Sequence, residues 1–416
     1  MQPNYVLTRR LATTFEVVLI STVLLCLPLF EAPKNVFSAT FLIAWIFQSI
    51  RSRNFGQNSP FDLPIFGLAA VLWLAPLFSD FGDIITPLNS APRWTLLALF
   101  VLAVNRLDYT QKQLAIVLSA VMIGGIAAVI ESFWMWSLTN KAYPEFRSVG
   151  HVNHSSMYSL VPLAVGVGAL YLRNRLLKVL GLCAILSTLA FLPPSRSLVG
   201  LMAVAAILMV GAGVFFIRRW SVSSLIVASV SIVIVLGAVF ASPPGASLRG
   251  EVVARVSGDN VFSSRDKILN SALVVWDQHP ILGTGWYSFG TATSEELVRA
   301  TLLDAGREYD PSNYVHSPHG HNLWTTMLIE RGLIGVILVT VLLLLYLWTF
   351  LPLALGREGA DVNARGPAIA AFLVALGFAV AGLGNTTMMN EHGHAGMSVI
   401  AVAYGYLRGK GLAGNI

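Results

Sequence analysis

Long apolar stretches follow one another along this chain with only short polar breaks, and they leave it one kind of fold. About 20 consecutive apolar residues carry a helix across the hydrocarbon of a bilayer, where the backbone polar groups have to be satisfied internally. Such runs lie near residues 12–30, 35–50, 61–78, 92–106, 113–136, 155–172, 176–193, 197–217, 222–241, 332–352, 366–386 and 393–408. The expected fold is all-α, a polytopic membrane protein with about twelve transmembrane helices. Charged residues make up only 12% of the chain, about half the share of a soluble domain, which excludes an ordinary water-soluble globule. The net charge of +6 does not imply a nucleic-acid partner, because the basic residues stand singly or in pairs between apolar runs. That pattern sets topology.

The first run follows Arg9-Arg10, is too long for a signal-peptide core and lacks a small-residue cleavage site. It is expected to be an uncleaved first span. Cys26 and Cys183, the only cysteines, both lie in apolar runs. They offer neither a disulfide framework nor a cysteine metal site.

Of the 27 Lys and Arg residues, fifteen fall at the termini or in short loops on one side of these spans. Five fall in short loops on the other side, and seven in a long polar segment at 242–331. Basic residues concentrate in cytoplasmic loops, so both termini are expected in the cytoplasm and the long segment outside. The chain then divides into spans one to nine over 1–241, an external loop domain over 242–331, and spans ten to twelve over 332–416. All eight histidines fall on the external side. Insertion does not require this, so the external face is expected to carry the chemistry. Within the loop, the apolar pieces Ser271–Trp276 and Glu295–Leu303 suit short amphipathic helices. Gly283-Thr284-Gly285 between them marks a turn, and the expectation is a compact helical cap.

The sharpest motif is His316-Ser-Pro-His319-Gly-His321-Asn322, followed by Gly332-x-x-Gly335. Imidazole titrates near neutrality and can move protons or hold a metal. His321 beside a span is a candidate general base for an attacking hydroxyl, with His316, His319 and Asn322 as candidate substrate ligands. Three imidazoles can also ligate a metal, but the segment has no carboxylate ligand and its Pro318 and Gly320 suit a turn, so no metal is assigned. The two glycines suit close approach of a helix start to a neighbour.

Arg196, in Pro193-Pro-Ser-Arg-Ser197, and Arg265, in Phe262-Ser-Ser-Arg-Asp266, are two external guanidiniums that together fit a diphosphate, since Arg binds phosphate oxygens bidentately. Either can equally be held by protein carboxylates or carbonyls. Arg147, Arg249, Arg255 and Lys267 are further external cations. Asn153 and His154 before the sixth span can bind a sugar hydroxyl or a phosphate, while Asn153 or Ser155 can equally cap the helix. Glu391, beside Asn385, Asn390 and His392, can orient a His or pair with an Arg.

These motifs resemble the O-antigen ligase and polymerase superfamily. The resemblance rests on His321-Asn322 with nine residues to Gly332-x-x-Gly335, on Gly150…Asn153 opening a span, and on Arg196 in its Ser-Arg-Ser turn. It rests also on Arg265 leading into Trp276…His279-Pro280…Gly283-x-Gly285, and it covers roughly residues 145–350. The His-Asn to Gly-x-x-Gly spacing is more typical of the ligases, as are the span count and the position of the large loop. His316 and His319 have no counterpart in the pattern.

What the resemblance implies is a GT-C-like glycosyltransferase of the bacterial inner membrane with a periplasmic cap and active site, needing no cofactor and no metal. The donor would be a glycan on undecaprenyl diphosphate, the acceptor a sugar hydroxyl of lipid A–core, and transfer would invert the anomeric carbon. Arg196 and Arg265 would clamp the diphosphate while His321 takes the proton, and Trp286 and Tyr287 would stack on sugar rings. An O-antigen polymerase and a pilin-type O-oligosaccharyltransferase share the donor and differ in the acceptor. A transporter is the alternative of another class. Against it, no half of the chain repeats, Glu16 and Glu131 are the clear acidic residues within the expected spans, and alternating access needs polar groups at the midplane.

Overall fold

Polar residues at the ends of the apolar runs fix where helices begin. In the computed structural model, which describes residues 9–79, 85–216, 237, 241, 246–257, 264–356 and 362–413, α1 (Thr14–Cys26) opens on a reciprocal capping box between Thr13 and Glu16. Such a box satisfies two backbone donors that a helix start leaves open. There follow α2 (Glu31–Ser52), α3 (Asp62–Leu74) with a 3-10 turn at Ala75–Phe78, and α4 (Ile85–Asn105). A second capping box, Thr110 with Gln113, opens α5 (Gln111–Leu138). Next come α6 (Val152–Leu170), α7 (Arg175–Ser195) and α8 (Leu198–Phe216). The less apolar α9 (Ala246–Ser257), α10 (Arg265–Gln278), α11 (Phe289–Ala292) and α12 (Glu295–Asp304) precede α13 (Leu323–Ala354), α14 (Val362–Gly382) and α15 (Asn390–Gly409). No strand occurs among the described residues, only an isolated bridge between Leu11 and Asp108.

Helices overlie the expected spans wherever these are described. The span at 222–241, apart from 237 and 241, lies outside the described residues, as do Arg218, Arg219 and Arg357. Among the described residues, five helices are long and apolar enough to cross a membrane: Ile85–Asn105, Gln111–Leu138, Arg175–Ser195, Leu323–Ala354 and Asn363–Gly382. Shorter apolar helices lie at Thr14–Cys26, Asp62–Phe78 and Leu198–Val214. Large apolar side chains such as Ile43, Phe47, Leu63, Leu176 and Trp348 face outward, as a surface wetted by lipid allows and water would penalise. The chain is an all-helical, multi-pass membrane protein.

The core runs through α6, which is buried along most of its length and packs on α7, α14 and α15. Its crossing with α7 is close: a Cβ on Gly166 would stand 2.6 Å from the Gly181 carbonyl oxygen. Small residues at such a crossing let two backbones meet where lipid supplies no hydrophobic drive. Cys26 is buried and Cys183 exposed.

Cap helices α10 and α12 cover the two pieces expected to be amphipathic. Together with α11 they enclose a separate small core of Ile268, Ala272, Val275, Phe289, Val298 and Leu302, closed by Ile329 of α13. The boundary nearest the histidine loop differs from expectation. The tenth span was expected from residue 332, but α13 begins at Leu323, because the Asn322 side chain accepts from the backbone N–H groups of Trp324 and Thr325 at 2.8 and 3.1 Å. Glu330, outside the spans by sequence, therefore lies inside a helix.

Gly332 is also not a helix start. It is a break within α13, at φ 60° and ψ −162°, and a Cβ there would meet the Ile281 carbonyl oxygen at 2.2 Å. The turn at Gly283–Gly285 docks into this break. Thr284 N–H donates to Ile329 O at 2.7 Å, Gly285 N–H to Glu330 O at 3.0 Å, and Leu333 N–H to Pro280 O at 2.9 Å. The helix donors and acceptors freed by the break are thus paired by the loop, which is what an interrupted apolar helix requires.

Candidate active site

At the end of the bundle under the cap, the loop before α6, the loop before α13 and the α14–α15 turn enclose a cavity of about 410 Å³. Its wall includes His151, Asn153, His154, Tyr287, His319, His321, Thr326, Glu330, Asn385 and Asn390, with Trp286 at its edge. The volume lies toward the lower end of the range for small-molecule sites, and most of the side chains on the wall are polar.

Histidines from three distant stretches converge here. The His154 ring lies 5.9 Å from that of His151, 6.4 Å from His319 and 5.6 Å from His392. His151 caps α6, its Nδ1 accepting from Asn153 N–H at 3.1 Å. Neither Asn153 nor Ser155 performs that capping, which leaves the Asn153 side chain on the cavity wall. Ser155 Oγ instead accepts from Phe146 N–H at 2.9 Å. His392 is buried against the Thr386 carbonyl, and His316 turns to Thr293 O at 3.3 Å, away from the cavity lining. Among the described residues no three His, Cys, Asp or Glu side chains are arranged to hold a metal ion.

His321 sits at φ 47°, a left-handed conformation uncommon outside glycine and costly to hold. Its imidazole lines the cavity and makes no hydrogen bond within the described protein. Burial first, then the Arg265 charge and the neighbouring His319 and His151, hold its pKa down from 6.5 to about 4. The ring is therefore neutral at neutral pH and able to take a proton. Burial and His151 lower His319 as well. Next to His321, Asn322 is fully committed: besides capping α13, its amide donates to Leu383 O at 2.9 Å. One residue on, Gly384 O accepts from Arg265 Nη2 at 3.2 Å. Arg265 and Asn322 thus fasten the cap and α13 to the same turn, and bring the guanidinium beside His321.

The remaining candidates separate. Arg196 ends α7 at φ 53° with its guanidinium 5.2 Å from the Tyr143 ring centre, outside the cavity lining. Arg147 faces Glu131 at 3.6 Å. Glu391 pairs with Lys34, itself bound to Glu31 and Ser148. Trp286 is only 5% exposed, with the Arg331 guanidinium 5.0 Å from its ring centre. Tyr287, at φ 67° and 55% exposed, is the aromatic offered to the cavity.

Sequence reasoning missed Glu330 and Thr326 on the wall, and named Asn385 and Asn390 only as companions of Glu391 and His392. For Glu330 and Thr326 a signal existed: Asn322, Thr326 and Glu330 recur at a four-residue interval, which puts them along one helix face.

Residues 181–340 match the sequence profile of the O-antigen ligase family. The matched stretch runs from α7 through the cap into α13 and contains Arg196, Arg265, Tyr287, His321 and Glu330. The resemblance carried by His321-Asn322 and the two glycines is borne out at the level of the family. No curated protein matches the chain.

Proposed function

We propose that this chain, whose residues 181–340 carry the O-antigen ligase domain, transfers a glycan from undecaprenyl diphosphate to a sugar hydroxyl of lipid A–core. The supporting observation is a polar cavity lined by a neutral, unpartnered His321, whose pKa is held down by burial and by the charge of nearby Arg265. In the reaction the acceptor oxygen bonds to the anomeric carbon and its proton passes to His321. The bond from that carbon to the diphosphate oxygen breaks on the opposite face, and the electron pair leaves with the lipid diphosphate, so configuration inverts. A diphosphate needs charge neutralisation more than protonation, and Arg265, with Arg196 as the second external guanidinium, supplies it. No metal or cofactor is assigned a step.

Both substrates are lipid-anchored, so the reaction belongs at a membrane surface. The matching location is the periplasmic face of the inner membrane, with both termini in the cytoplasm and the cap above a twelve-span, GT-C-like bundle.

The test is transfer by the purified full-length protein from lipid-linked glycan to lipid A–core in the presence of a chelator, comparing the parent with His321→Ala and Arg265→Ala. Transfer by the parent, lost in folded His321→Ala and sharply reduced in folded Arg265→Ala, supports the ligase. Elongation of the lipid-linked glycan without transfer to the core would make the protein a polymerase. Transfer only to a serine or threonine acceptor would make it a pilin-type transferase.

A further inference from the structure

Among the described residues Glu330 is the one carboxylate on the cavity wall, and its burial is unusual. The residue is 5% exposed, the backbone N–H groups of Tyr287 and Phe289 face its carboxylate, and Oε2 has no partner among the described residues. A buried oxygen left without a donor carries a desolvation cost of about 1–3 kcal/mol, which a structural carboxylate would normally avoid. Its neighbour Arg331 does not relieve it by an ion pair. Arg331 is wholly buried between Trp94 and Trp286, 4.4 and 5.0 Å from their ring centres, and none of its guanidinium nitrogens has a hydrogen-bond partner among the described residues.

We propose that Glu330 Oε2 binds the acceptor: it accepts a hydrogen bond from a sugar hydroxyl and holds the attacking oxygen toward His321. The inference rests on the transferase reading above. The distribution of charge assigns Glu330 to the acceptor. A diphosphate is drawn to Arg265, whose charge is felt at His321, so the donor's charged end goes to the Arg265 side of His321. The uncharged sugar that attacks from the opposite face lies on the Glu330 side. Thr326, one turn before Glu330, shares its hydroxyl with Asn322 O and Thr386 Oγ1, so on this face of α13 the unfilled acceptor is Glu330. Arg331 keeps a positive charge beside the carboxylate without occupying it. The docked turn at Gly283–Gly285, bound to Ile329 O and Glu330 O, fixes the backbone that carries both.

The experiment compares Glu330→Gln and Glu330→Ala with the parent in the full-length protein, measuring kcat and the KM of each substrate together with the unfolding temperature. Glutamine keeps the shape and a weaker acceptor oxygen. The expected result is an acceptor KM raised about tenfold in Glu330→Gln and more in Glu330→Ala, with donor KM within about twofold of the parent. A purely structural counter-charge for Arg331 would lower the unfolding temperature and leave the acceptor KM unchanged, which overturns the proposal. A rise confined to donor KM overturns it too. Should the parent elongate lipid-linked glycan and leave lipid A–core untouched, the ligase reading fails by itself. The Glu330 proposal is then decided by the KM of the glycan that supplies the hydroxyl.

Discussion

His321 shows how a loop residue acquires the properties its chemistry needs. A histidine free in water titrates near 6.5, and one acting as base at neutral pH has to be unprotonated there. Burial and Arg265 push its pKa down to about 4. The unfolded chain therefore binds this proton first as pH falls. The stability linked to His321 is complete above about 6.5, declines as pH drops toward 4, and falls no further below that. The acid limb of kcat/KM is expected near pH 4 to 5, well below the ordinary histidine value, as a pH–rate profile will read. In Arg265→Ala the limb moves to higher pH, because a cation that opposed protonation is gone. An unmoved limb would detach the proton acceptor from His321. The two arginines separate in the same assay: Arg265→Ala raises donor KM about tenfold or more, and Arg196→Ala less, since the Arg196 guanidinium lies over Tyr143 while the Arg265 charge is felt at His321. The sequence made the imidazoles legible, because polar clusters beside apolar runs stand out. Glu330 was hidden, since a lone acid at the edge of such a run reads as the last residue of a loop.

Among the elements, α13 joins the membrane bundle to the cap, and its geometry depends on two backbone positions. Asn322 caps its first turn and ties it to the end of α14. Asn322→Ala is expected to cost about 1 kcal/mol from the cap alone, and more with the tie, measured as the unfolding temperature in detergent. Gly332 carries the break that receives the Gly283–Gly285 turn. Gly332→Ala adds left-handed strain, roughly 1–2 kcal/mol, to a collision with the Ile281 carbonyl, whereas Gly306→Ala, at φ 69° with nothing near its Cβ, meets the strain alone. Gly332→Ala should unfold at the lower temperature and lose transfer; equal effects at both positions would mean the docked loop contributes nothing. The amphipathic cap helices were legible from their apolar periodicity. The early start of α13 was not, because the start is set by one side chain reaching two backbone N–H groups, while hydropathy registers only the apolar run beyond Gly332.

Across the whole molecule, three described residues sorted to the basic side of the spans, Arg10, Arg106 and Arg408, lie at the end away from the cavity. Arg10 pairs with Glu16, Arg106 with Asp62, and Arg408 with Asp108, whose backbone also pairs with Arg10 and Ala12. The sidedness was legible in the distribution of Lys and Arg. The partners were not, since Arg408 and Asp108 are 300 positions apart and only packing brings them together. That pair is buried, at 5% and 7% side-chain exposure, with Arg408 Nε 2.8 Å from Asp108 Oδ1. Arg408 Nη1 also donates to Gln57 O, so the guanidinium joins α15 to the segments before α3 and α5. Removing one partner of a buried pair leaves the other charge uncompensated and costs about 3–5 kcal/mol, while replacing both by apolar groups of similar volume is often close to neutral. Asp108→Leu should therefore lower the unfolding temperature strongly, and Asp108→Leu with Arg408→Met should recover most of the loss. Because the pair lies at the opposite end from His321, donor and acceptor KM should stay at parental values in whatever fraction remains folded. A double variant as unstable as the single one would show that the Gln57 contact, and not the ion pair, holds this end together. A change in KM would mean that the two ends of the bundle are coupled through α15, whose first residue lines the cavity and whose last turn carries Arg408.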